Sequence, residues 1–130
     1  YGLVDDVWIN TKTDQLILVD YKATSKKGEV SLDAPWQISY KRQIEIYQWL
    51  FRKNGFDVQN IGYFVYCNGI KENVLFNNEL KFKVKILPYK GDDSWLDNTV
   101  KSMFKVLNSE EIPESSSNCE YCRYIKKANL

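Results

Sequence analysis

The stretch Leu16-Ile17-Leu18-Val19-Asp20-Tyr21-Lys22 decides how this chain folds. Four apolar residues with high β-propensity run without a break into an acid, an aromatic and a lysine, which reads as a strand with a charged end. A second β-rich run, Leu3 to Ile9, precedes it, and the polar segment Asn10-Thr11-Lys12-Thr13-Asp14-Gln15 between them is a turn signal, so the two form a hairpin. A turn centred on Lys12 and Thr13 sets Asp5 opposite Asp20; a turn one residue longer sets Asp6 there instead. Directly opposed residues share a face, with Cβ atoms about 4.5–5.5 Å apart. Two carboxylates so placed repel each other unless a cation or a proton lies between them. Strand alternation adds Lys22 to the face of Asp20. Hard oxygen ligands at this spacing suit Mg²⁺, which takes one or two carboxylates and completes its shell with water and substrate phosphate. Solvated charges are also common at strand ends, with Lys22 as a plain salt-bridge partner, and the pattern alone leaves both readings open.

Downstream, Ala23 to Asp33 is polar, contains Ser25-Lys26-Lys27-Gly28, and reads as a loop. Asp33 is placed to cap a helix with Pro35 in its first turn, running to Lys53 and stopping at Asn54-Gly55. Ile61 to Cys67 is an apolar strand ending at Asn68-Gly69, where Cys67 reads as a buried, inert thiol. Lys81 to Leu87 alternates lysines with Phe82, Val84 and Ile86, the pattern of a half-exposed strand with its lysines outward as a guard against edge pairing. Asp92 or Asp93 caps a second helix whose stripe is Leu96, Val100, Met103, Phe104 and Leu107. Ile112 to Asn118 is a Pro/Ser-rich linker into Cys119-Glu120-Tyr121-Cys122. The order β-β-α-β-β-α gives an α/β fold, one mixed sheet with helices against it. The expected division is a core over residues 1–111 and a tail over 112–130. The chain opens in strand pattern at Tyr1-Gly2-Leu3-Val4, and we expect an N-terminal element to precede it in a longer protein or complex.

Composition narrows the chemistry. The chain has 130 residues and no histidine, which excludes Ser-His-Asp and Cys-His catalysis and imidazole metal sites within it. Its net charge of +1 is too small for a non-specific nucleic-acid binder, so any phosphate-binding surface is local. No apolar run reaches the roughly 18 residues of a membrane span. Three cysteines do not make a disulfide framework and point to a reducing, cytoplasmic setting.

On the first helix, Trp36, Tyr40, Gln43, Tyr47 and Leu50 form one ridge, and Gln43 interrupts it as a polar group needing partners. Gln43 either bonds core backbone or faces a site, and it shares a face with Tyr47.

The segments Gly2-Leu3-Val4-Asp5, Val19-Asp20-Tyr21-Lys22, Gln43-Ile44-Glu45-Ile46-Tyr47 and Cys119-Glu120-Tyr121-Cys122 together resemble the PD-(D/E)xK nuclease superfamily, in its RecB-like branch, with the pattern GxxD, (D/E)xK, QxxxY and a cysteine-bearing tail. The resemblance spans nearly the whole chain in the family's order. It implies a restriction-endonuclease-like core and metal-assisted hydrolysis of DNA phosphodiesters, of recombination, repair or phage type. It assigns Asp5, Asp20 and the backbone carbonyl of Tyr21 to a catalytic Mg²⁺ or Mn²⁺, and Lys22 to the attacking water or the developing charge. Gln43 and Tyr47 match the helix motif that lines the site and contacts the DNA.

Two departures accompany it. The family's helix before the first strand falls outside this sequence, and with it any extra metal ligand it carries. The four-cysteine relatives hold an iron–sulfur cluster, whereas only Cys119 and Cys122 fit here, so no cluster is expected in this chain. Lys26, Lys27, Lys41 and Arg42 are candidate phosphate contacts or ordinary surface charges, and Tyr40 and Trp36 are candidate base-stacking groups or core. The alternative functions are an inactive nucleic-acid-binding or scaffolding domain of the same fold, and an α/β interaction module.

Overall fold

The first hairpin turns as its polar segment dictates. Asn10 N–H donates to the Gln15 carbonyl at 2.9 Å, and Asp14 takes the left-handed conformation at φ 57°. Strand β1 (Asp6–Ile9) pairs antiparallel with β2 (Leu16–Thr24), Asp6 lying opposite Val19 and Ile9 opposite Leu16. The fold is a computed structural model that describes residues 2–71 and 78–128. Tyr1, read as opening the first strand, lies outside the described residues. The strand begins at Asp6 rather than Leu3, because the Asp5 carboxylate accepts the Tyr21 N–H that a longer ladder would use.

Asp33 does not cap the helix that follows. Gln37 Oε1 accepts the Ala34 N–H at 2.9 Å, and a 3₁₀ turn (Pro35–Gln37) leads into α1 (Ile38–Lys53). The helix stops where Asn54 and Gly55 require, Gly55 taking φ 83°. Strand β3 (Ile61–Gly69) then runs parallel to β2, with Val19 beside Tyr63, and β4 (Phe82–Lys90) returns antiparallel to β3. The sheet order β1-β2-β3-β4 puts β2 inside, which is why its Leu18, Val19 and Asp20 are all buried. Leu18, Phe64, Tyr66 and Ile44 form the core between sheet and α1. Gly62 allows that contact, since a Cβ there would lie 2.9 Å from an Ile44 methyl.

The orientation of β4 is opposite to the one expected. Leu87 and Tyr89 pack on the core, and alternation then carries Lys85 and Lys83 to the α1 face. There both lysines pair with Glu29, at 3.1 and 2.6 Å. Phe82, Val84 and Ile86 point to the other face and remain more than half exposed. Cys67 opposes Val84 on that face and is half-buried, not sealed in the core.

Backbone contacts divide the chain into Tyr1–Leu96 and Asp97–Leu130. The turn into α2 (Leu96–Leu107) is fixed by Asp92 Oδ1, which accepts the Ser94 N–H, while Asp93 pairs with Arg52 at 2.7 Å. In the second unit, Cys119 caps α3 (Glu120–Lys127), its Sγ accepting the Cys122 N–H at 3.4 Å. That bond lowers the Cys119 thiol pKa, and the contact between the two thiols raises that of Cys122.

Candidate active site

The hairpin register decides which acid meets Asp20. With Asp6 opposite Val19, the next pair outward is Asp5 and Asp20. Asp5 Oδ2 accepts the Tyr21 N–H at 2.9 Å. Asp6 faces the opposite side of the sheet, where its carboxylate accepts from the Tyr21 hydroxyl at 2.8 Å and from Trp8 Nε1 at 3.0 Å. Those bonds, the tyrosine's foremost, hold the Asp6 pKa below its usual value. The one-residue-longer turn is thereby excluded.

Asp20 is 1% exposed. Lys22 Nζ forms an ion pair with its Oδ2 at 2.6 Å. Burial raises the Asp20 pKa; Lys22 opposes the rise and Asp5 adds to it. The side chain is thus a buried acid whose shift toward the neutral form Lys22 only partly offsets. A further cation beside such a group favours its ionised form. Tyr21 contributes as well. The N–H and C=O of a strand residue point to the same edge, so its carbonyl lies on the β1 side, beyond the first paired residue of that strand. Two carboxylates and a carbonyl form a donor set that suits a hard divalent ion keeping several waters. Among the described residues no cluster of three or more Asp, Glu, Cys or His side chains competes with it.

Helix α1 supplies the other wall. Gln43 Oε1 accepts from Lys22 Nζ at 3.3 Å, and Gln43 Nε2 donates to the Tyr47 hydroxyl at 3.0 Å. Lys22 Nζ also sits 4.3 Å from the centroid of the Tyr40 ring, a cation–π contact. The polar interruption of the ridge is therefore a relay between the lysine and Tyr47. Gly2 makes room for it: a Cβ at that position would lie 2.8 Å from Tyr47 Cε1. The first and third sequence motifs are in physical contact, which only a fold could reveal.

The remaining candidates divide. Lys26 lies in a cleft at the C-terminal ends of β2 and β3. Lys41 is not brought to this cluster. Two positions from Gln43 is about 200° around a helix, and its ammonium lies 5.8 Å from the Tyr89 ring on the β4 side. Trp36, as ready a candidate for core as for stacking, is 62% exposed, its ring edge-on to Tyr40 at 5.4 Å. Sequence reasoning missed Glu45, a buried carboxylate that accepts from the Tyr89 hydroxyl, Trp95 Nε1 and Asp92 N–H. Its signal was a lone acid on the helix face behind Gln43, and its role is to tie α1 to the end of β4. It pushes the Tyr89 hydroxyl pKa far up, after burial.

The family model described as the PD-(D/E)XK nuclease superfamily matches residues 1–126. No curated protein and no solved structure matches the chain. No helix among the described residues is long and apolar enough to cross a membrane.

Proposed function

Because the chain belongs to the PD-(D/E)XK nuclease superfamily, we propose that it is a DNA phosphodiesterase dependent on Mg²⁺ or Mn²⁺. Asp5, Asp20 and the Tyr21 carbonyl would hold the ion. The observation that carries this reading is the buried Asp20 carboxylate, with its pKa raised, a second carboxylate beside it and Lys22 paired to it at 2.6 Å. When bound, the ion supplies Lewis-acid neutralisation of phosphoryl charge and eases deprotonation of water.

The protein's own groups do the positioning. Lys22 is held from three sides, by Asp20, Gln43 Oε1 and the Tyr40 ring, so its ammonium is directed without rotamer search. It orients the attacking water and offsets negative charge that grows on the phosphoryl oxygens in the transition state. The Tyr47 hydroxyl accepts its hydrogen bond from Gln43, which leaves its own proton free to donate to a substrate phosphate oxygen. Trp36 offers an exposed indole face to a base. The GxxD, DxK and QxxxY motifs favour the RecB-like branch and a recombination, repair or phage role. The three free thiols favour a reducing, cytoplasmic setting.

The test is cleavage of single- and double-stranded DNA with Mg²⁺ and with Mn²⁺, using Asp20→Ala and Lys22→Ala as controls. Each control is expected to lose at least 100-fold in rate. Equal, background cutting by wild type and both variants leaves the non-cleaving binding domain as the reading.

A further inference from the structure

Past Lys22, β2 continues for two residues to Thr24, about 7 Å along the strand. Thr24 lies beside Asn68, and both point to the sheet face that carries Lys22. Beyond this pair the chain opens into a cleft of about 290 Å³ lined by Lys26, Lys27, Lys71, Lys83, Glu29 and Asn68. Among the described residues that line it, four lysines stand against one glutamate, a charge of +3 in a chain whose total is +1.

The cleft is built rather than incidental. Asn68 Nδ2 donates to the Lys26 carbonyl at 2.9 Å and ties the loop to β3. Gly28, at φ 83°, makes a turn that a side chain would strain. Glu29 then anchors the loop's far end on Lys83 and Lys85. These two ion pairs, Lys83 first, pull the Glu29 pKa down to about 2, so the anchor stays charged at any working pH. Lys26, Lys27 and Lys71 have no ion pair among the described residues.

We propose that this cleft is a second phosphate subsite, which holds a phosphate of the nucleic-acid strand displaced from the one at Asp5 and Asp20. The inference rests on the nuclease reading for its substrate, but it concerns binding and not chemistry. A single small anion is poorly served by an open cleft of flexible ammonium groups. A chain of evenly spaced anions is well served, because a first phosphate held by one lysine delivers the next charges to its neighbours at high effective concentration. Lysine acts on phosphate as a point charge and carries no base preference. The contact therefore sets affinity and strand path, not sequence.

The test is fluorescence-anisotropy titration of a 12-nucleotide single strand, with and without a 5′-phosphate, in EDTA at several salt concentrations. Wild type, Asp20→Ala, Lys26→Gln/Lys71→Gln and Glu29→Gln are compared. Each phosphate contact contributes about 0.7 to the slope of log affinity against log salt for a single strand. The lysine pair is expected to lower that slope by about 1.4, and Glu29→Gln to raise affinity by freeing two ammonium groups. A loss shared by both oligonucleotides identifies an internal phosphate; a loss confined to the phosphorylated one identifies a strand end; either supports the subsite. Unchanged slope and affinity in the lysine pair overturn it. Failure of the nuclease reading is separate: it shows as wild-type cleavage no better than Asp20→Ala while the salt slopes still differ between variants.

Discussion

Adding Mg²⁺ to the protein in the absence of DNA tests the metal site without any turnover. Asp20 is buried with its pKa raised. Its ionisation therefore destabilises the fold: as pH rises from the unfolded value of about 3.9 through the higher folded value, stability falls, and the loss is complete above it. Asp20→Asn lacks this fall, so its stability advantage over wild type should grow with pH across that window. A divalent ion binds only the ionised form and reverses the cost. At ten times its Kd it stabilises by RT ln 11, about 1.4 kcal/mol. The unit Tyr1–Leu96 has an unfolding entropy of about 0.2 kcal/mol/K, so its melting temperature should rise by about 7 °C. Scanning calorimetry or tryptophan fluorescence reads this, with KCl matched for ionic strength. Asp20→Asn and Asp5→Asn should each lose most of the shift, and wild type should lose it below the folded pKa of Asp20. An equal rise in the Asp5→Asn/Asp20→Asn double variant, or none in wild type at millimolar Mg²⁺, refutes the reasoning.

Gly2→Ala should press on Tyr47 and cost about 1–3 kcal/mol in stability; kcat should fall about tenfold as the Gln43–Tyr47 bond is lost, and a Tyr47→Phe background should make the kcat effect vanish. Trp36→Ala should weaken single-strand binding by about 5- to 150-fold, the worth of one stacked base, with kcat unchanged; unaltered affinity removes the indole from the substrate path. Glu45→Gln should lower stability by about 3 kcal/mol through weakened bonds from Tyr89 and Trp95, yet leave kcat/KM intact. Loss of activity at normal stability would give Glu45 a part in the chemistry.

The hairpin, the helix and its stop were legible because each rests on local chemistry: a polar turn between β-rich runs, and Asn54-Gly55 after an apolar ridge. Local turn geometry also settles whether Asp5 or Asp6 meets Asp20, although the sequence offered two loop lengths. β4 was misjudged for the opposite reason. Its alternation is clear, but alternation states only that two faces differ and not which is inward. Leu87 and Tyr89, at the strand's other end, determine that by reaching the core, and they carry Lys83 and Lys85 in with them. The helix start was misread because the N-cap falls on Ala34, one residue past Asp33, and its backbone N–H is taken by the Gln37 side chain three residues on. Contacts between distant residues, such as Gly2 with Tyr47, leave no local trace at all.

The same comparison explains why the site takes the form it does without histidine. One acid of the pair sits where the sheet gives it least water, since Asp20 is on a central strand, while Asp5 is exposed just before β1 begins. Burial, and to a lesser extent the Asp5 charge, oppose ionisation of Asp20, and Lys22 at 2.6 Å does not fully offset them, since the Asp20 pKa remains raised. An apolar replacement of the cluster would fold more stably. The instability is local, since Glu45, Gln48 and Arg52 bind α1 to the strand ends on the opposite side of the helix from Gln43. The helix can therefore hold Gln43 and Tyr47 in place while Asp20 stays shifted toward its neutral form. In the proposed metal site a divalent cation would therefore relieve the cost of ionising Asp20, and rigid neighbours keep the carboxylate from relaxing before the cation arrives.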